Sequence, residues 1–152
     1  MFGTSTAYKT LVLLHILSAV VAFGPWFLNG LFPQTALRRN QGEADAINTV
    51  NLRVSTLTQF AMYGVVVFGF GIIGAKAKHV DLGMGKPWVG SAIVVWVAIV
   101  GVLHGLVLPA QKKLANNDGD RAALTQRQSL GAAIIEVLIV VAVYLMVFKP
   151  GQ

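Results

Sequence analysis

Three ionisable side chains fall inside long apolar stretches of this sequence: His15, His104 and Glu136. Such groups are costly in hydrocarbon, so each is read as a functional candidate with a partner to be found. An imidazole can ligate a metal or a haem iron, and it can take up or release a proton; a carboxylate beside it can hold that proton. His15 belongs to a polar and small stripe at helical spacing, together with Ser18, Ala22, Trp26 and Asn29, that should face other protein. The same stripe also reads as an interior face whose polar atoms bond neighbouring helices, and this plainer reading is preferred over cofactor ligation.

The elements that must position these residues are four apolar runs, Leu11 to Phe32, Leu57 to Ala75, Trp88 to Leu108 and Gly131 to Phe148. Each reaches the length of about 18 residues that a membrane-crossing helix needs. Pro33, Lys76 with Lys78, Pro109, and Lys149 with Pro150 mark their ends. The expected fold is all-α: one domain over residues 1–152, an integral membrane four-helix bundle running up, down, up, down. The second and third spans should be joined by the shortest connection. The first connection, "TALRRNQGEADAINTVNLRV", is helix-compatible enough to extend the first two spans beyond the membrane. Gly24 and Pro25 should kink the first helix.

Composition agrees with a lipid solvent. The chain is 55% hydrophobic and 12% charged, against about a quarter charged in soluble domains. Its net charge of +6 comes from Lys and Arg flanking the apolar runs, which is headgroup anchoring rather than a nucleic-acid face. The lipid bilayer is therefore the expected partner, with other membrane subunits as a further one and nucleic acid excluded. With no cysteine, disulfides, thiolate zinc sites and iron–sulfur clusters are ruled out. The first run continues to Phe32, too long for a signal peptide, and is read as a span. Basic residues number seven on the side of the first and third connections and five on the other, which places both termini outside the cytoplasm.

Depth along the helices constrains the chemistry. Counted from the span starts, His15 is fifth and His104 seventeenth in spans that run the same way, a difference of about 18 Å at 1.5 Å per residue. Two axial ligands of one haem belong roughly 4 Å apart, so a His15–His104 haem is disfavoured. His104, Glu136 and Tyr63 instead count to one depth and are expected to meet inside the bundle, as a polar clamp or a proton relay. Gly101 and Gly105 form a GxxxG pair, and Gly69, Gly71 and Gly74 lie late in the second span; all are read as helix-packing positions. Trp88 and Tyr8 fit an interfacial aromatic belt. His79 and Asp81 form an H-x-D pair, too few ligands for a metal site. No phosphate-binding glycine loop, nucleophile elbow or zinc-protease helix is present in the sequence, so no catalytic residue is assigned.

The stretches "YKTLVLLHILSAVVAFGPWFLNGLF", "VLPAQKKLA" and "YLMVFKP" together resemble a bacterial family of four-span membrane proteins described as a domain of unknown function. More loosely, the first-span histidine and its small-residue and aromatic patch look like copper-resistance membrane domains and membrane protoporphyrinogen oxidases. The family resemblance implies a bacterial inner membrane; the looser one implies that His15 ligates haem b or copper. Three functions follow for comparison: an accessory subunit or small binding module, a haem or copper redox protein using His15, and a transporter or proton relay using His104 and Glu136. The first is preferred, because the chain offers four spans and little polar machinery.

Overall fold

The computed structural model describes residues 6–75 and 85–151. Among these the chain is helical throughout and contains no strand. Four rods result, Thr6–Leu37, Gln41–Gly74, Pro87–Ala115 and Arg121–Phe148, each long and apolar enough to cross a membrane. The protein is an all-α helical bundle of the multi-pass membrane class. Large apolar side chains such as Leu13, Val20, Phe60, Val137 and Phe148 stand exposed on its outside, as expected of a surface solvated by lipid tails.

The first rod is broken into α1 (Thr6–Phe23), α2 (Trp26–Asn29) and α3 (Leu31–Leu37). Pro25 has no N–H, and a Cβ at Gly24 would stand 2.8 Å from the Val20 carbonyl, so both residue types suit the break. The second rod is one helix, α4 (Gln41–Gly74), capped by Asn40, whose Oδ1 accepts the Glu43 N–H at 3.0 Å. The third comprises α5 (Pro87–Val102), a π-helical segment Leu103–Val107, and α6 (Leu108–Ala115). Pro109 cannot donate to the Gly105 carbonyl four residues earlier, and the Arg127 guanidinium donates to that carbonyl instead, at 3.0 Å. The fourth is α7 (Arg121–Phe148), capped by Asp120 at one end and by left-handed Lys149 at the other.

The shortest connection is not between the second and third rods. Residues 38–40 alone join the first rod to the second, because the helix-compatible segment does extend both rods beyond their apolar runs. The second and third rods are separated by residues 75–86. Lys76, Lys78, His79 and Asp81 lie outside the described residues.

The rods associate as two close pairs, α1 along α4 and α5 along α7. At the end carrying connections 38–40 and 116–120 the pairs join, through α3 against α4 and α7 and through α6 against α4 and α7. A fully buried plug of Trp26, Met62, Ile99, Leu103 and Ile135 fills the centre. The expected GxxxG contact is not made among the described residues: Cβ atoms at Gly101 and Gly105 would meet none of them within 4 Å. Gly131 makes the close approach instead, since a Cβ there would lie 2.6 Å from Val107 Cγ2. In the second span Gly69 and Gly71 do pack on α1, against His15 and Leu11, while Gly74 faces open space.

Candidate functional site

Towards the far end from connections 38–40 and 116–120, all four rods line one cavity of about 910 Å³. Phe23, Val65, Trp96 and Ile139 represent the four walls, which are otherwise aliphatic, aromatic and glycine. The indole N–H of Trp96 is already spent on the Met62 carbonyl at 3.2 Å. His15 is the one imidazole on the lining. Its Nδ1 lies 2.7 Å from the Val65 carbonyl oxygen, which can only accept, so Nδ1 carries a proton and, in the neutral ring, the lone pair is on Nε2. Nε2 has no hydrogen-bond partner among the described residues. The stripe expectation for this residue agrees with the geometry: His15 faces α4, not lipid.

His104 is placed differently. Its Nδ1 donates to the Val100 carbonyl at 3.0 Å, so Nε2 accepts the hydroxyl proton of Tyr63 at 3.2 Å. The rings lie 6.5 Å apart and nearly parallel, with Trp96 edge-on to Tyr63 at 6.3 Å. This pair sits on the outer surface between the second and third rods, with His104 exposed.

The expected third member does not join it. Glu136 makes no hydrogen bond or ion pair among the described residues. The depth expectation holds, since Tyr63 is eight residues beyond Ser55 and Glu136 eight beyond Gln128, and Ser55 and Gln128 belong to one cluster. The face is what differs. Ser129 and Ala132, at i−7 and i−4 from Glu136, abut Gly30 of the first rod, so Glu136 lies on the side of α7 turned towards the first rod. His104 lies against the second.

The two histidines are also not at opposite depths, because their partners Val65 and Tyr63 are two residues apart on α4. Apolar runs begin at different heights in the four rods, so counting from run starts misplaced them. A shared haem is still disfavoured, on grounds of face: His104 is absent from the cavity lining, and both its nitrogens are engaged.

The most extensive polar cluster lies where the rod pairs join. Asn29 Nδ2 donates to Ser55 Oγ at 2.8 Å; Gln111 Nε2 donates to Ser55 Oγ at 2.9 Å and to Asn29 Oδ1 at 3.1 Å; Gln128 Nε2 donates to Asn29 Oδ1 at 3.2 Å. All four side chains are at most 1% exposed, and one comes from each rod. Around them Asn51, Gln111 Oε1, Gln128 Oε1 and Thr125 Oγ1 have no protein partner among the described residues. A buried polar group left unmet costs on the order of 1–3 kcal/mol, so the cluster is under strong demand for partners. Asn29 was legible as part of the first-span stripe. The α4 members could have been read from the spacing Asn48, Asn51, Ser55, Thr58, Met62, Val65.

No protein-family model, curated protein or solved structure matches this chain.

Proposed function

We propose that this protein is a non-enzymatic membrane binding module whose cavity takes an apolar, ring-sized ligand from the bilayer. The observation that carries this reading is the cavity of about 910 Å³, walled by all four rods and bearing a single imidazole with an uncommitted lone pair. Drug-sized ligands occupy pockets of roughly 300–1,000 Å³ lined by apolar groups with a few oriented polar ones. His15 Nε2 would accept one hydrogen bond from the ligand and set its orientation, while Phe23, Trp88 and Trp96 supply flat contact area. The charge asymmetry and the family resemblance support a bacterial inner membrane with both termini outside the cytoplasm.

A second reading, haem b, is favoured by the same ring. An imidazole whose Nδ1–H is held by a backbone carbonyl is oriented as metal-ligating histidines are, with Nε2 facing outward. The residues fit the group: His15 would hold it through Nε2, and Met146 offers a thioether on the same lining. A bound haem would supply one-electron transfer. Copper fits less well, since no cluster of three His, Cys, Asp or Glu occurs among the described residues.

One preparation tests both readings. Protein isolated in mild detergent should release a stoichiometric apolar compound on organic extraction, and His15→Ala should lower its retention. A Soret band in that sample selects haem. Protein that carries only the bulk lipid mixture, with no enrichment over the His15→Ala variant, refutes the binding module.

A further inference from the structure

The Asn29–Ser55–Gln111–Gln128 cluster has a fixed direction of hydrogen bonding. Gln128 Nε2 donates to the backbone carbonyl of Asn29 at 3.4 Å as well as to Asn29 Oδ1. A backbone carbonyl only accepts, so the nitrogen of Gln128 must be on that side. Asn29 Oδ1 is then the acceptor for Gln128 and for Gln111, and Asn29 Nδ2 is left to donate to Ser55. The outward-facing atoms of both glutamines are thereby oxygens, and neither Oε1 has a protein partner.

Two further oxygens stand near them. Thr125 precedes Gln128 by three residues and Asn51 precedes Ser55 by four, so each lies on the same inward face, one turn nearer the 38–40 and 116–120 end. Thr125 Oγ1 and Asn51 Oδ1 are buried and unpartnered as well. Thr125, Asn51, Gln111 and Gln128 are each at most 4% exposed. Four neutral oxygens from three rods are therefore buried and unpartnered within about one helical turn of the junction, and beyond Asn51 along α4 come Asn48 Oδ1 and then Asp45 Oδ1, likewise buried and unpartnered.

We infer that this cluster is a binding site for a monovalent alkali cation, coordinated by Oδ1 of Asn51, Oε1 of Gln111 and Gln128, and Oγ1 of Thr125. Neutral carbonyl oxygens replace the hydration shell of such ions in membrane proteins. A divalent ion would require ionised carboxylates in the shell, and none of the four ligands is one. The plug of Trp26, Met62 and Leu103 closes the site towards the cavity. The inference is independent of what the cavity binds.

The test is thermal unfolding of the whole protein in detergent, at constant ionic strength, in sodium, potassium or choline chloride. Choline is too large for the site. Sodium or potassium should raise the midpoint saturably over choline, as a ligand selective for the folded state must. Thr125→Val removes one ligating oxygen that makes no protein hydrogen bond, and should weaken the apparent affinity for that cation by about tenfold or more, while Thr125→Ser retains it. Identical unfolding of the unsubstituted protein in all three salts overturns the inference and leaves water as the occupant. So does a cation effect that Thr125→Val does not change, since the ion then binds elsewhere. The salt comparison on the unsubstituted protein decides the question even if the valine variant fails to fold.

Discussion

The phenolic oxygen of Tyr63 lies 3.2 Å from Nε2 of His104, and the other nitrogen of that ring is held by the Val100 carbonyl at 3.0 Å. Every polar atom of the imidazole is thus satisfied within the second and third rods, although the residue faces the lipid side. Tyr63→Phe should cost about 0.5–1.5 kcal/mol of unfolding free energy in detergent, the usual net worth of one such bond. A double-mutant cycle with His104→Phe should return a coupling of about the same size. Purely additive effects would show that the two side chains do not act together.

Gly131 and Gly101 should respond oppositely to a methyl group. Gly131→Ala places a Cβ 2.6 Å from Val107 Cγ2, where the third and fourth rods pack tightly. Overpacking of that kind typically costs about 1–3 kcal/mol. Gly101→Ala meets open space and should be neutral or stabilise by roughly 0.5–1 kcal/mol through helix propensity. Thermal unfolding of both variants against the parent checks the pair.

The contrast between these glycines shows what sequence periodicity can and cannot reach. Four spans, the kink at Gly24–Pro25 and the inward face of His15 follow from run length, missing donors and i, i+3, i+4 spacing, all local properties. Which face of Gly101 or Glu136 meets which neighbour depends on rod rotation and height, and an apolar run states neither. Gln111 and Gln128 lie outside the apolar runs, yet α6 and α7 carry them into the buried junction. Helices continue past the hydrophobic signal wherever caps such as Asp120 allow, so span limits and helix limits differ.

Asn29 is the hub of that junction, accepting from two glutamines and donating to Ser55. Asn29→Ala should destabilise the bundle by about 2–5 kcal/mol, because it removes the shared Oδ1 acceptor, leaving Gln128 Nε2 only the long bond to the backbone carbonyl of residue 29 and Gln111 Nε2 only Ser55, and breaks the network in a site with no exposure to water. Asn29→Asp keeps both acceptor positions but puts an oxygen, which cannot donate, where Nδ2 met Ser55. Its unfolding midpoint should fall between those of the parent and the alanine variant.

His15 should tolerate loss of its ring better than the junction tolerates loss of Asn29. It gives one hydrogen bond to Val65 and borders a cavity that already exists, so His15→Ala should cost about 0.5–1.5 kcal/mol. His15→Gln should restore part of that loss by donating to the same carbonyl. Far larger destabilisation, on the scale expected for Asn29→Ala, would make His15 a structural clamp and remove the reason to read it as a ligand group.

Glu136 discriminates most sharply between a clamp and a working carboxylate. A clamp requires partners, and among the described residues Glu136 has neither a hydrogen bond nor an ion pair. Its half-buried side chain lies on the side of α7 turned towards the first rod, one turn before Val140 on the cavity lining. Glu136→Gln keeps the shape and removes a group whose charged form no neighbour balances, so the unfolding midpoint should stay the same or rise. If the midpoint instead falls by the equivalent of about 1 kcal/mol or more, the carboxylate has a partner in the membrane. With stability unchanged, the variant can be used to ask about transport. Proteoliposomes containing Glu136→Gln should show the same passive proton leak as the parent, because the Tyr63–His104 pair is satisfied without the carboxylate and lies on another face. A pH-driven flux present in the parent and lost in the variant would make Glu136 a proton carrier in its own right and displace the binding-module reading.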